Sequence, residues 1–362
     1  MRTRPASLPV PTAALHALRN RAAYTLIRGS VGALCAFSVD QNMRTMRTLG
    51  GAFARAPFNR ARLERAHANI SRVFPDWERD RVETCAVDAY RHLFSLGVET
   101  AFTPRLISDD GWSARVDLGD LRPGLSRLLR GRPTILITGH CGNWELLGYT
   151  LAVLGFPVHA LYRPLDLKPL DDWMRETRGR RGMALVDKFG ATEEAPRILD
   201  NGGMLGFIAD QNAGDRGLYV PFFDRLASTY KTIGLLAMRH GASIICGQAR
   251  RVGHALDAQS FRYRIEIIDA FDPQDWESQP DPLFYIGARY RRAIETMVRN
   301  APEQYLWMHR YWKSRPSFER AGKPFPDRLR EKLLGLPWMT EESLERIERQ
   351  SEADAAAIRD AR

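Results

Sequence analysis

The apolar positions change period partway along the chain, and the change divides it. Over residues 11–72, Ala, Leu and Arg recur at helical spacing with breaks at Gly50-Gly51 and Pro57, so this stretch reads as several helices. A long helix is predicted over 77–103, where Val82, Cys85, Ala86, Tyr90, Leu93, Phe94 and Val98 form the apolar positions. From residue 134 short β-branched runs take over. Segments 134–138 (TILIT), 156–162, 204–208 (MLGFI), 242–248 and 261–268 predict strands, and 144–153, 167–180, 192–201 and 230–240 predict the helices between them.

Strands alternating with helices of this length imply an α/β fold, a mixed or mostly parallel central sheet flanked by helices. The expected organisation is a basic helical N-terminal region over 1–75, the main domain over 76–320 and a charged helical tail over 321–362. That tail is expected to be a solvated helix or frayed terminus without a chemical role.

Charge changes the picture in one place. Lys and Arg number 53 against 43 Asp and Glu, a net +10. Residues 1–72 hold twelve arginines, no lysine and only Asp40 and Glu64, so this arm carries the whole excess. Nucleic-acid binders mix lysine with exposed aromatics or carry a recognisable module, and neither occurs here, so no nucleic-acid partner is expected. An anionic membrane surface suits the arm better, at about 1 kcal/mol per arginine near the leaflet. Segment 22–39 is its most apolar part, but Arg28, Gly29 and Gly32 interrupt it short of the roughly 20 residues a spanning helix needs. It reads as an interfacial helix or a core-packing one. No apolar run followed by a cleavage site marks the N-terminus. The four scattered cysteines form neither a disulfide framework nor a metal motif, so no metal is expected.

The chemistry concentrates at Ile135-Leu-Ile-Thr-Gly-His140-Cys-Gly-Asn-Trp-Glu145. A strand ends, a glycine permits a turn, and His140 stands where a helix is about to begin, at the strand end where α/β sheets bind ligands. Glu145, five positions on, is spaced to reach the imidazole. A carboxylate on one ring nitrogen fixes the tautomer and raises the basicity of the other. The expected unit is a His140–Glu145 dyad that takes a proton from a hydroxyl or water. Cys141 as a nucleophile is disfavoured, because neighbours on a turn point apart.

The run TGHCGNWELLG resembles the bacterial lipid A biosynthesis acyltransferase family, within the wider H-x4-D/E glycerolipid acyltransferases. Further segments carry the same resemblance: Tyr162-Arg163-Pro164, Asp210-Gln211, Val220-Pro-Phe-Phe223, the run from Pro302 through Arg310 and Lys313 to Pro316, and Asn69–Pro75. Together they cover roughly residues 60–320 in the family's order. Ala22–Val39 departs from the clear spanning helix with which members usually begin.

The resemblance implies transfer of a fatty acyl chain from an acyl thioester, carried on acyl carrier protein or coenzyme A, to a hydroxyl or hydroxyacyl chain of a lipid A precursor or related glycolipid. No cofactor is implied. His140 becomes the general base and Glu145 its orienting partner. Arg163 is the candidate for an oxyanion or phosphate, Asp210 for ordering the acceptor or bracing Arg163, Asn143, with Gly142, for shaping the turn and donating backbone or amide hydrogens at the substrate site, and Arg310 for an anionic head group. The basic cluster Arg178–Gly182 is a candidate dock for an acyl carrier protein. The expected place is the cytoplasmic face of the bacterial inner membrane, peripheral or interfacially anchored. Two other readings stay open: a thioesterase, with water as acceptor, and a non-enzymatic peripheral membrane protein acting through the arm.

Overall fold

The computed structural model describes residues 10–179, 182–187, 190–252 and 261–360. Four helices lead: α1 (Val10–Cys35), α2 (Val39–Ala54), α3 (Arg60–Val73) and α4 (Arg79–Leu106). Strand β1 (Val116–Leu118), α5 (Arg122–Leu128), β2 (Thr134–Thr138), α6 (Trp144–Val153), β3 (Val158–Tyr162) and α7 (Lys168–Gly179) follow. Next come β4 (Ala184–Asp187), α8 (Ala191–Asp200), β5 (Met204–Ile208), the hairpin β6 (Leu218–Pro221) and β7 (Leu226–Thr229), and α9 (Lys231–His240). The chain closes with β8 (Ser243–Arg251), β9 (Tyr263–Phe271), α10 (Pro273–Glu277), α11 (Pro282–Asn300), α12 (Ser317–Arg320), α13 (Asp327–Leu334) and α14 (Glu341–Asp360).

Seven strands form one sheet in the order β1-β9-β8-β2-β5-β3-β4, and only β8 and β9 run antiparallel. This is the mostly parallel α/β architecture expected from the alternating pattern. β2 is apolar along its length because helices cover both faces of a parallel sheet, which removes the polar alternation of a one-sided strand. Ile135 and Ile137 are buried on it with Leu205, Ile244 and Cys246 of its neighbours.

The N-terminal helices are not a detached arm. Val39 and Met43 of α2 pack with Leu146 of α6 and Tyr263 of β9, and Ala66 and Ile70 of α3 join the main core. Segment 22–39 is not one helix: α1 ends at Cys35, and Ser38 starts α2 at Val39 with a capping box to Gln41. Among the described residues no helix is long and apolar enough to cross a membrane.

The tail differs from expectation as well. Leu344 and Ile347 on α14 lie in the main core, and Asp354 receives Arg225 and Arg315 at 2.5 and 2.8 Å. The charged run hides a narrow apolar stripe, and its buried carboxylate is paired. The last helix is therefore docked rather than solvated.

Candidate active site

Register explains how the site assembles. β2 and β5 are parallel neighbours with Thr138 opposite Ile208, and Ala209 N donates to Thr138 O at 2.8 Å. Two residues beyond that pair, His140 and Asp210 leave the sheet side by side. Asp210 Oδ1 lies 2.7 Å from His140 Nδ1, and Oδ2 accepts the His140 backbone N–H at 3.0 Å. A carboxylate only accepts, so Nδ1 carries a proton toward Asp210, and in the neutral ring the lone pair falls on Nε2. The Gln211 amide nitrogen stands 3.4 Å from Nε2, and the Trp144 ring meets the imidazole edge-on at 5.0 Å.

Asp210 is fully buried. Burial alone would raise its carboxyl, but the imidazole's charge and two hydrogen bonds, with the Arg291 guanidinium behind them, outweigh it and hold the group below the usual carboxylate range.

The imidazole faces a cavity of about 820 Å³ on one side of the sheet, beneath α5, α6 and α7. Leu121, Leu125 and Leu128 wall one end, and Phe156, Met183 and Leu185 the other. Gly206 on β5 and Gly148 on α6 keep its walls clear of side chains. Besides His140, its polar lining is Thr138, Glu145, Tyr162, Arg163, Arg178, Gln211, Tyr230 and Glu266.

The loop from 139 to 143 is pinned on every side. Leu306 N donates to His140 O at 3.1 Å, Gly142 N to Gln304 O at 3.0 Å and Asn143 N to Ala249 O at 2.8 Å. Beneath it lies a buried polar network. Asn143 Nδ2 donates to Glu99 Oε2 at 2.8 Å, Arg251 meets Glu99 Oε1 at 2.5 Å and donates to His92 Nδ1 at 3.3 Å, and His92 Nε2 reaches Gly142 O at 2.9 Å. Burial and then Arg251 push His92 well below its usual value, so it stays neutral and donates through Nε2. These charges are paired and bonded, the condition under which buried polar groups fix one arrangement.

Gly142 carries the tightest constraint in the loop. Its φ is +61°, and a Cβ there would stand 2.1 Å from Ala249 O, a backbone atom of β8. Gly142→Ala should lose about 2–4 kcal/mol of stability, combining left-handed strain with a displaced strand or loop. Denaturant unfolding measures the loss, and an unchanged midpoint would contradict it. The rate should fall with it, since the same turn aims His140.

The structure places each expected site residue, and it corrects three of them, Glu145, Asp210 and Asn143. Glu145 does not hold the imidazole: it lies in the first turn of α6, where its Oε1 accepts from Arg178 of α7 at 2.6 Å, while Asp210 occupies Nδ1. Asp210 is the imidazole's support rather than an acceptor contact or a brace for Arg163. Asn143 is fully buried; its Oδ1 caps α6 through Leu146 N at 2.9 Å, which leaves it nothing to offer a substrate. Arg310 is exposed and lines no part of the cavity. Trp307, Tyr311 and Trp312 beside it are core. Arg163 is exposed at the cavity wall with no ion pair among the described residues. Cys141 is fully buried and burial pushes its thiol far up, which removes it as a nucleophile. Of the basic cluster 178–182, Arg178 is taken by Glu145, and Arg180 and Arg181 lie outside the described residues. Among the described residues no His, Cys, Asp or Glu side chains gather as a metal-binding group.

Sequence reasoning missed Glu99, His92, Arg251 and Arg291. Each is an ordinary helix or strand residue tied to the site across 44 or more positions, as Glu99 is to Asn143, His92 to Gly142 and Arg291 to Asp210, and spacing gives no sign of it.

The family described as bacterial lipid A biosynthesis acyltransferase matches residues 23–314. The chain is 27% identical to the lipid A biosynthesis palmitoleoyltransferase of Escherichia coli (strain K12), over 74% of this chain and 83% of that protein. It is 24% identical to the lipid A biosynthesis lauroyltransferase of the same strain, over 72% and 81% of the two chains. A lipid A biosynthesis acyltransferase of Haemophilus influenzae is also 24% identical, over 70% and 77%.

Proposed function

The chain belongs to the bacterial lipid A biosynthesis acyltransferase family, and from that premise we propose that it moves a fatty acyl chain from an acyl thioester to a hydroxyl, or a hydroxyacyl chain, of a lipid A precursor or related glycolipid. The observation that carries the reading is an imidazole with Nδ1 committed to a buried carboxylate and Nε2 turned toward an 820 Å³ apolar cavity. The donor is an acyl carrier protein or coenzyme A thioester whose chain lies in that cavity, each buried methylene contributing about 0.8 kcal/mol.

The acceptor hydroxyl loses its proton to His140 Nε2 as its oxygen attacks the thioester carbonyl. The tetrahedral oxyanion then collapses, the carbon–sulfur bond breaks, and the imidazolium returns the proton to the departing thiolate. Asp210 stays ionised throughout and stabilises the imidazolium. No acyl-enzyme forms. Arg163, at the cavity wall with no ion pair among the described residues, meets the oxyanion or a phosphate of either substrate.

The protein works from an anionic bilayer, at the cytoplasmic face of the inner membrane. Leu15, Leu18 and Leu26 stand exposed on α1 among Arg19, Arg21 and Arg28, the composition of a helix lying in the interface.

The test is incubation of the purified protein with an acyl thioester and a hydroxylated lipid A precursor in anionic vesicles, followed by mass spectrometry of the lipids. The expected product is the precursor one acyl group heavier, with free thiol released in equal amount. Free fatty acid as the sole product would replace this reading with thioester hydrolysis, and an unconsumed thioester would remove it.

A further inference from the structure

Arg291, on α11, is fully buried yet makes no salt bridge among the described residues. Every hydrogen bond it gives goes to a neutral oxygen. Nη1 donates to Asp210 O at 2.6 Å, Nη2 to Gln211 O at 3.1 Å and Ser228 O at 3.2 Å, and Nε to Thr229 Oγ1 at 3.0 Å. Its guanidinium lies over the Phe222 ring, 4.8 Å from the centroid. A buried cation without a carboxylate is costly to desolvate, and here hydrogen bonds to neutral oxygens are what offset that cost. Its fork grips the two consecutive carbonyls at the end of β5, and Asp210 feels its charge.

We propose that Arg291 is the positioning residue of the His140–Asp210 pair: it fixes the β5 end against β7 and supplies the permanent positive charge that keeps the Asp210 carboxylate ionised under the imidazole. The proposal rests on His140 being the base of the proposed transfer. It goes beyond that reading by assigning a role to a side chain that touches no substrate, since Arg291 lines no part of the cavity.

The other titratable groups around the pair do not supply such a charge. The Cys141 thiol and the Tyr230, Tyr305 and Tyr311 phenols all feel Asp210, and burial pushes each up, so they are neutral when the enzyme works. Burial lowers His309 and keeps it neutral. Glu145 and Arg178, on the cavity side, are paired with each other. Of these groups Arg178 and Arg291 are cations at every working pH; Arg178 is neutralised by Glu145, and Arg291 has no carboxylate partner among the described residues.

The sign of the effect follows. Removing a nearby positive charge makes the imidazole–carboxylate pair bind a proton more readily, so the basic form is lost at a higher pH. Arg291→Gln keeps amide donors for the carbonyls but not the charge; Arg291→Lys keeps the charge but not the fork. The experiment is kcat/KM for acyl transfer against pH in the wild type and both variants, with kcat and KM separated. In Arg291→Gln the acidic limb should move up by about one pH unit, with kcat about tenfold lower and KM within about twofold. In Arg291→Lys the limb should return close to its wild-type position.

Equal rate losses in both variants with an unmoved limb would overturn the proposal and leave Arg291 a structural residue. If Arg291→Gln does not accumulate folded, Thr229→Val, which removes the Nε acceptor together with the hydroxyl's own bond to Ala227 O, is the second arm: a smaller upward displacement supports the proposal and none overturns it. Failure of the underlying reading looks different, because transfer by His140→Ala at the wild-type rate would abolish the base while saying nothing of Arg291.

Discussion

Replacing His140 by alanine should lower kcat/KM for acyl transfer by about 10²–10⁴-fold, the usual contribution of a positioned general base. The loss should fall on kcat, since the apolar cavity that holds the donor chain is lined mostly by other residues. Alanine also leaves Asp210 without its closest partner, so part of the loss would be misattributed if the fold suffered. His140→Gln separates the two, because its amide can still donate to the carboxylate and cannot serve as base. Both variants should lose activity alike, while circular dichroism and thermal melting show the glutamine variant closer to wild type. Retained transfer in either would take the imidazole out of the mechanism.

Asp210→Asn is the second large effect. The amide matches the carboxylate in shape, but it cannot stabilise an imidazolium by charge, and its nitrogen competes to donate to Nδ1, which favours the wrong tautomer. The expected fall is about 10²–10⁴-fold in kcat with KM little changed. Acid has a related consequence. The Asp210 carboxyl is held below its unfolded value, so its contribution to stability is fully present above that unfolded value and is lost as pH falls through the lowered folded one. Steady-state kinetics and acid unfolding of the two proteins check both points. A rate within a few fold of wild type would contradict the first.

The legible part of this molecule was local. Strands β2 and β5 and helix α6 coincide with the periodic runs that predicted them, because a buried parallel strand and a capped helix announce themselves in contiguous residues. β1, with three residues, and β4, with four, are too short to show a period. The 19-residue α11, which carries Arg291, has a periodic apolar face that went unread.

The site divides along the same line. His140 stood out because a strand, a glycine and a helix start surround it. Its partner did not, because the pairing is made by strand order: β5 lies beside β2 only after two βα units have folded, 70 residues along. Glu145 was chosen for nearness in sequence. The α6 helix turns it toward Arg178 instead, and Asn143, adjacent to that turn, is spent on the helix cap. Charge runs misled in the same way at the tail, where Asp354 pairs with arginines 129 and 39 positions earlier and α14 docks on its buried side.

The central claim is that the imidazole is gripped by Asp210, and proton NMR of protein labelled with ¹⁵N-histidine tests it most directly. A low-field Nδ1–H resonance assigned by its loss in His140→Gln should persist in Glu145→Gln and shift strongly upfield or vanish in Asp210→Asn. Loss of that resonance in Glu145→Gln with an unchanged signal in Asp210→Asn would contradict the account.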